Sequence, residues 1–328
     1  MLRTAPPRLA QIQAPVRDSL CSVESELRTI ILSDFPPIQE VSDYLALARG
    51  KLFRPTLLLL SNSASGAPHE RAPVLAAIVE LVHLATLVHD DAVDHSVLRR
   101  GMPTVNALWN HQAAIIMGDY LYSRAVTELA GFDRTDLIQV LAGAANEMSV
   151  GEMRQLVSAD ALGFTEEDYY RLIQSKTASL MSAACEMGAM IGDGCCRGGL
   201  ARYGHFIGMA FQIADDLLDY TATESATGKP TGHDLREHKV TLPLIAALEG
   251  MDASGRREVQ AFFADPEPTE DGIRRVIALS EEHGGLEYAR ARAEAFGERA
   301  ADALRELPDS EASRALHDAV GYVVDRRR

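Results

Sequence analysis

"LVHLATLVHDDAVD", residues 81–94, decides how the rest of the chain is read. Its apolar positions continue the helical spacing Val74, Ile78, Leu81, Val82, Ala85, and no alternating pattern competes with it. The run then ends in three aspartates. At roughly 100° per residue, Asp90 and Asp94 share one helix face a turn apart, and His83 falls on nearly the same line. Buried carboxylates need partners, so this is either a solvated helix end or a place where positive charge sits. Two stacked carboxylates form a hard oxygen site. Calcium would want about six to eight oxygens in a flexible loop, whereas magnesium is content with one or two carboxylates, waters and substrate phosphates.

The same grammar recurs in "FQIADDLLDY", residues 211–220, on the helical run Leu200, Tyr203, Phe206, Ile207, Ala210, Phe211, Ala214, Leu218. Asp215 and Asp219 stand at i and i+4, Asp216 is adjacent, and Gln212 is expected about a turn earlier on the Asp215 face. Six aspartates on two core-type helices repel one another unless divalent cations intervene. Such cations would create a receptor for a polyanion.

Helical periodicity predicts segments at 12–32, 37–47, 52–65, 71–94, 104–109, 111–131, 135–159, 166–192, 198–222, 238–249, 253–265, 269–282, 284–305 and 309–324. The breaks carry Gly, Pro or polar clusters. One of them, 223–239, is long and polar and holds Lys229 and Lys239, as functional loops often do. No composition shift marks a boundary, so residues 1–328 are expected to form a single all-α helical-bundle domain.

Composition narrows the function. With 328 residues and 47% hydrophobic content the chain can bury a large core. Thirty-two Lys and Arg against 47 Asp and Glu leave a net charge of −15, the wrong sign for nucleic acid, so no nucleic-acid partner is expected. Cys21, Cys185, Cys195 and Cys196 lack the spacing of a zinc site or a disulfide scaffold, which suits a reduced, cytoplasmic setting. The N-terminus has prolines and arginines where a signal peptide needs an apolar core. The most apolar stretch, 74–88, is interrupted by Glu80 and His83, and no membrane span is expected.

Basic side chains punctuate the chain near the two motifs: Lys51 and Arg54 in "RGKLFRP", Arg99 and Arg100 in "LRRG", Lys176 beside Thr177 in "QSKTASL", then Lys229 and Lys239. Singly, each reads as a solvated charge. Together, with metal-type carboxylates opposite, they suggest two separate phosphate groups.

In this order, "GKLFRP", "LVHLATLVHDDAVD", "LRRGMPTVNALW", "MGDYLYSRA", "GEMRQL", "SKTASL", "FQIADDLLDY" and "GKPTGHDLREHKVTLPLI" resemble the trans-isoprenyl (polyprenyl) diphosphate synthases, over roughly residues 40–250. The resemblance implies an isoprenoid-synthase-type bundle around a central cavity. It also implies Mg²⁺-dependent, head-to-tail condensation of isopentenyl diphosphate with an allylic diphosphate. Lys51, Arg54, His83 and Arg100 would hold the diphosphate of isopentenyl diphosphate. Asp90 and Asp94 from the first motif, and Asp215 with Asp219 from the second, would ligate about three magnesium ions. Arg99, Lys176, Gln212, Lys229 and Lys239 match positions contacting the allylic diphosphate, while Thr177 and the Lys176 carbonyl match groups that stabilise the cation. The departing diphosphate would serve as base, and closure of 223–239 would exclude water. A homodimer is the usual assembly of such proteins.

Product length is read from the first motif's helix. Thr86 and Ala85, four and five residues before Asp90, are small, and no aromatic lies between 71 and 94. A bulky side chain there would close a tunnel about a turn below the metals, at ~1.5 Å rise per residue. Val82 comes next. A medium- or long-chain all-trans product, hexaprenyl to decaprenyl, is expected, with geranylgeranyl or farnesyl diphosphate as the alternative. A terpene cyclase would usually carry Asn, Ser and Glu in the second motif, and a di-iron bundle would need Glu and ExxH pairs. A regulatory subunit of a two-component synthase would typically lose one aspartate motif, and both are intact here.

Overall fold

The computed structural model describes residues 7–47, 50–99, 101–157, 163–192, 194, 196–221 and 231–325. Helices α1 (Arg17–Ile30), α2 (Pro36–Leu47), α3 (Phe53–Ala64) and α4 (Ala72–Val93) lead into α5 (His111–Ala130) and α6 (Thr135–Val157). There follow α7 (Glu166–Ile173), α8 (Ser179–Ile191), α9 (Arg197–Thr221), α10 (Leu242–Gly250), α11 (Ala253–Ala264), α12 (Glu270–Glu282), α13 (Gly285–Ala303) and α14 (Glu311–Val324). The chain is all-α, as its periodicity predicts.

Sequence dictates which helices sit in the middle. Helix α8 is apolar or small almost all round, and from Leu180 to Ile191 all but Ser182 and Glu186 are buried, as expected of a helix wrapped by others. It packs on α3, whose Leu57, Leu58, Leu59 and Leu60 are all buried, and on α9. Helix α4 packs against α1, α3 and α5. A second, smaller apolar cluster, with Tyr220, Leu235, Leu244, Phe262 and Ile273, closes the end of the bundle beyond the second aspartate motif.

Four local expectations need correction. The predicted helix 12–32 is broken: a turn at Leu9–Ile12 and a 3₁₀ turn at Ala14–Val16 precede α1, because Pro15 cannot donate within a continuing helix. The predicted helix 238–249 starts only at Leu242, with Pro243 in its first turn, and a separate short turn occupies His233–Arg236. Two-residue strands β1 (Leu98–Arg99) and β2 (Met102–Pro103) pair antiparallel around Gly101, which takes φ +77°. Strands that short carry no alternation to read.

The fourth correction matters most. The predicted helix 166–192 contains a π-helical turn at Gln174–Ala178, between α7 and α8. Such turns often mark functional sites. Two glycines let neighbouring backbones press against it. A Cβ on Gly151 would lie 2.9 Å from Ser175 Cβ, and one on Gly208 would lie 2.6 Å from Ala178 Cα. The widened turn carries Lys176 and Thr177.

By length and composition alone, α4, with its 22 residues, is apolar enough to cross a bilayer despite Glu80 and His83. That revises the expectation that no run approaches a span. Its place is the protein core: Leu75, Ile78, Leu81, Val82 and Val88 are buried among neighbouring helices, and its C-terminal end delivers the first aspartate motif.

Candidate active site

Helix α4 projects Asp90 and Asp94 toward two lysines that arrive from distant parts of the chain. Lys176 Nζ, on the π turn, lies 3.8 Å from Asp90 Oδ2, and Lys239 Nζ lies 3.5 Å from Asp94 Oδ2. Each lysine has a shorter contact to a glutamate: Glu152 at 2.6 Å for Lys176 and Glu237 at 2.7 Å for Lys239. Gln155 Oε1 also accepts from Lys176 at 3.1 Å. Burial pushes the Asp90 carboxyl up to about 6; Lys176 and Arg99 oppose that shift, while Glu152 and Asp94 add to it. Burial would lower the Lys239 ammonium, but the hydrogen bond to Glu237 and the Asp94 and Asp234 carboxylates outweigh it and hold it charged.

Asp91, one residue on, is rotated into the protein. Its carboxylate accepts from Arg99 Nε at 2.8 and 2.9 Å, which pins β1 against the end of α4. Arg99, Asp91, His83, Gly50 and Leu87 line one cavity of about 70 Å³. Lys51 and Arg54 bracket the start of α3, where Leu52 adopts a left-handed φ of 50° and the Lys51 carbonyl accepts from Gln13.

The second motif divides its labour similarly. Asp215 is exposed at the surface of α9, whereas Asp216 is buried. Tyr169 Oη donates to Asp216 Oδ2 at 2.6 Å and Gln212 Nε2 donates to Asp216 Oδ1 at 2.7 Å. The Thr177 hydroxyl donates to Gln212 Oε1 at 2.7 Å, so a chain of hydrogen bonds links the π turn to the second motif. Burial, with the nearby Asp234 carboxylate, pushes the Asp216 carboxyl upward in spite of both donors. Gln212, expected on the Asp215 face, is instead bonded to Asp216; i+4 lies about 40° from a residue and i+3 about 60°, so both are within reach.

Asp219 accepts the backbone N–H groups of His233 at 3.0 Å and Asp234 at 2.9 Å, capping the turn that precedes Lys239. Each carboxylate oxygen keeps a further lone pair. Asp234 is pushed up to about 7 by burial and then by Asp219 and Asp215. Lys239, felt by Asp94 and by Asp234, thus joins the fields of the two motifs.

Of the residues singled out from sequence, Asp90, Asp94, Lys176 and Lys239 converge, Thr177 meets Gln212, and His83 and Arg99 share a cavity. Arg100 and Lys229, with residues 223–230 of the predicted 223–239 loop, lie outside the described residues. Val82 and Ala85 are buried, Thr86 donates to the His83 carbonyl, and none of the three lines that cavity. Sequence reading missed Glu152, Gln155, Tyr169, Asp234 and Glu237. Glu152 and Gln155 sit three apart in "GEMRQL", spacing that places both on one helix face; Tyr169 has no local signal at all.

Among the described residues, no three carboxylate, histidine or cysteine side chains converge closely enough to hold an ion alone. Magnesium does not require that, since one or two carboxylates suffice when substrate phosphates and water complete the shell. Asp90, Asp94 and Asp215 are hard oxygen donors, and the first two stand beside lysines suited to phosphate, so the donor set fits the ion.

Two aspartate motifs in an all-α bundle, the first facing lysines from the π turn and from beyond the turn that the second motif caps, define a prenyltransferase of the isoprenoid-synthase type. The chain belongs to the polyprenyl synthetase family, whose pattern matches residues 35–279. It is 38% identical over 317 residues to the all-trans-nonaprenyl-diphosphate synthase (geranyl-diphosphate specific) of Rhodobacter capsulatus, covering 96% of this chain and 97% of that one. The structure of a decaprenyl diphosphate synthase from Rhodobacter capsulatus superposes with a TM-score of 0.92 at 36% identity, covering 98% of this chain and 100% of that one. A polyprenyl synthase from Caulobacter crescentus, solved with calcium and isoprenyl diphosphate, gives 0.93 at 31%, covering 99% and 100%.

Proposed function

We propose that the protein condenses isopentenyl diphosphate head-to-tail with an allylic diphosphate to make a medium- or long-chain all-trans polyprenyl diphosphate. The observation that carries this reading is the carboxylate pair of α4 held within 4 Å of two lysines from separate elements, Lys176 and Lys239. Asp90, Asp94 and Asp215, with Asp219 behind them, would hold about three Mg²⁺ ions, which supply Lewis-acid neutralisation of the departing diphosphate. Lys176, Lys239 and Arg99 hold the allylic diphosphate and share its developing charge. Lys51, Arg54, His83 and Arg100 hold the second diphosphate. Thr177, oriented by Gln212, presents its oxygen toward the allylic carbon, which the isopentenyl double bond attacks; the released diphosphate takes the proton.

The binding of calcium and isoprenyl diphosphate by the Caulobacter crescentus relative supports divalent-metal use. Near-complete coverage of the Rhodobacter capsulatus relatives supports reading residues 1–328 as one domain, and their names favour a longer product. Exposed Leu32, Phe35, Ile115 and Ile116 support a homodimer: Tyr120, one turn beyond Ile116, donates to the Leu32 carbonyl and brings these residues to one side. A reduced, cytoplasmic location suits the thiols of exposed Cys21 and buried Cys185.

Purified protein incubated with Mg²⁺, isopentenyl diphosphate and dimethylallyl, geranyl or farnesyl diphosphate in turn, followed by product sizing, tests the reading. Elongation to at least hexaprenyl length is expected. No elongation with any primer would refute the enzyme, and a mainly farnesyl product would refute the length. Ala85→Phe should shorten the products if that face of α4 bounds the growing chain.

A further inference from the structure

The two lysines over the first motif share an arrangement that the condensation alone does not require. Each is ion-paired closely to a glutamate and stands off from an aspartate: 2.6 Å to Glu152 against 3.8 Å to Asp90 for Lys176, and 2.7 Å to Glu237 against 3.5 Å to Asp94 for Lys239. The two assemblies have unrelated origins. Lys176 comes from the π turn and Glu152 from α6, whereas Lys239 and Glu237 lie two residues apart after the turn that Asp219 caps.

A lysine ammonium is a compact charge on a flexible stem, and a bare carboxylate nearby is its natural resting place. A lysine seated directly on Asp90 or Asp94 would compete with a divalent cation for the same oxygen. Here the glutamates take the short contact. Glu152 has little other reason for its position: its Oε1 is buried with no hydrogen-bond partner among the described residues, a cost that an apolar side chain would avoid. Lys176 also has the neutral Gln155 at 3.1 Å, and Glu237 is 3.4 Å from His233 Nε2.

Building on the proposed metal-dependent reaction, we propose that Glu152 and Glu237 are positioning residues. They hold Lys176 and Lys239 off Asp90 and Asp94, leaving those carboxylates to the divalent cation and the lysines poised for the diphosphate. Neither glutamate touches the reacting atoms. Without its glutamate, each lysine closes on its aspartate and the cation must displace it.

The test is a pair of double-mutant cycles read by Mn²⁺ binding to the full-length protein, with inorganic diphosphate present, from the paramagnetic resonance of free Mn²⁺. Glu152→Gln should weaken Mn²⁺ binding about tenfold, and adding Lys176→Met should return it to within about threefold of Lys176→Met alone. Glu237→Gln with Lys239→Met should behave alike, so one cycle stands if a variant of the other does not fold. The glutamates would also act by their own negative charge, but that effect is additive with loss of the lysine. Additive cycles, or unchanged binding in both glutamine variants, overturn the proposal. If wild type elongates prenyl diphosphates while the cycles are additive, the positioning role alone fails. If wild type neither binds Mn²⁺ nor elongates, the prenyltransferase reading fails with it.

Discussion

The two aspartate motifs are spelled alike and housed differently. In both, the first aspartate faces outward, Asp90 toward Lys176 and Asp215 toward solvent, and the second turns inward, Asp91 to Arg99 and Asp216 to Tyr169 and Gln212. They part at the last position. Asp94 meets a lysine, an exchangeable partner, while Asp219 caps a backbone turn, a fixed one. The first motif is therefore arranged to trade cations. The second also builds the floor on which Lys239 stands.

The sharpest way to break the comparison is to remove the charge of an outward aspartate of the first motif and of the capping aspartate of the second. Asp90→Asn should lower turnover at saturating Mg²⁺ by about 10²–10³-fold, the scale seen when one preorganised charge-stabilising group is lost. Its melting temperature should hold or rise, because a buried carboxyl with a raised pKa is lost. Asp219→Asn should instead lower the melting temperature, since one cap acceptor becomes a donor facing backbone N–H groups. Equal effects of the two on turnover, with equal melting, would erase the distinction.

Next in size is the inward position of the second motif. Asp216→Ala leaves the Tyr169 hydroxyl and the Gln212 amide buried without their acceptor, which should cost about 1–3 kcal/mol in urea unfolding. Thr177, held by Gln212, should lose its orientation, so turnover falls as well. Asp216→Asn keeps an acceptor and should cost less. An alanine variant as stable as wild type would show that the Tyr169–Asp216–Gln212 chain is not structural.

This division of labour was only half visible in the chain's letters. Helical period made α4 and α9 legible, and with them the shared face of Asp90 and Asp94, because that face depends only on residues a turn apart. Period says nothing about partners on other elements. Tyr169 reaches Asp216 across 47 positions and Lys176 meets Glu152 across 24, so neither pair leaves a local trace. The π turn was hidden for a related reason: it is packed against Gly151 and Gly208, on two other helices, which approach residues 175–178 closely. Asp91 and Asp216 carry the same letter as their cation-facing neighbours, and only the roughly 100° step between adjacent residues separates their roles.

The smallest expected effect is on pH, and it too discriminates between the motifs. The Asp90 carboxyl sits at about 6 in the fold, against 3.8 when unburied, so the folded cation-free protein binds a proton that the unfolded chain releases across that window. Its contribution to stability is therefore present at low pH and lost as pH rises through about 6. A divalent cation needs the carboxylate and must displace that proton, so its affinity should run the opposite way, weakening as pH falls below about 6. The rise in melting temperature produced by Mn²⁺ with inorganic diphosphate should accordingly be larger at about pH 8 than at about pH 5. Asp90→Asn should flatten the part of that difference that comes from Asp90. An undiminished pH dependence in the variant would move the proton from α4 to the turn capped by the second motif, where burial, Asp219 and Asp215 push Asp234 up to about 7.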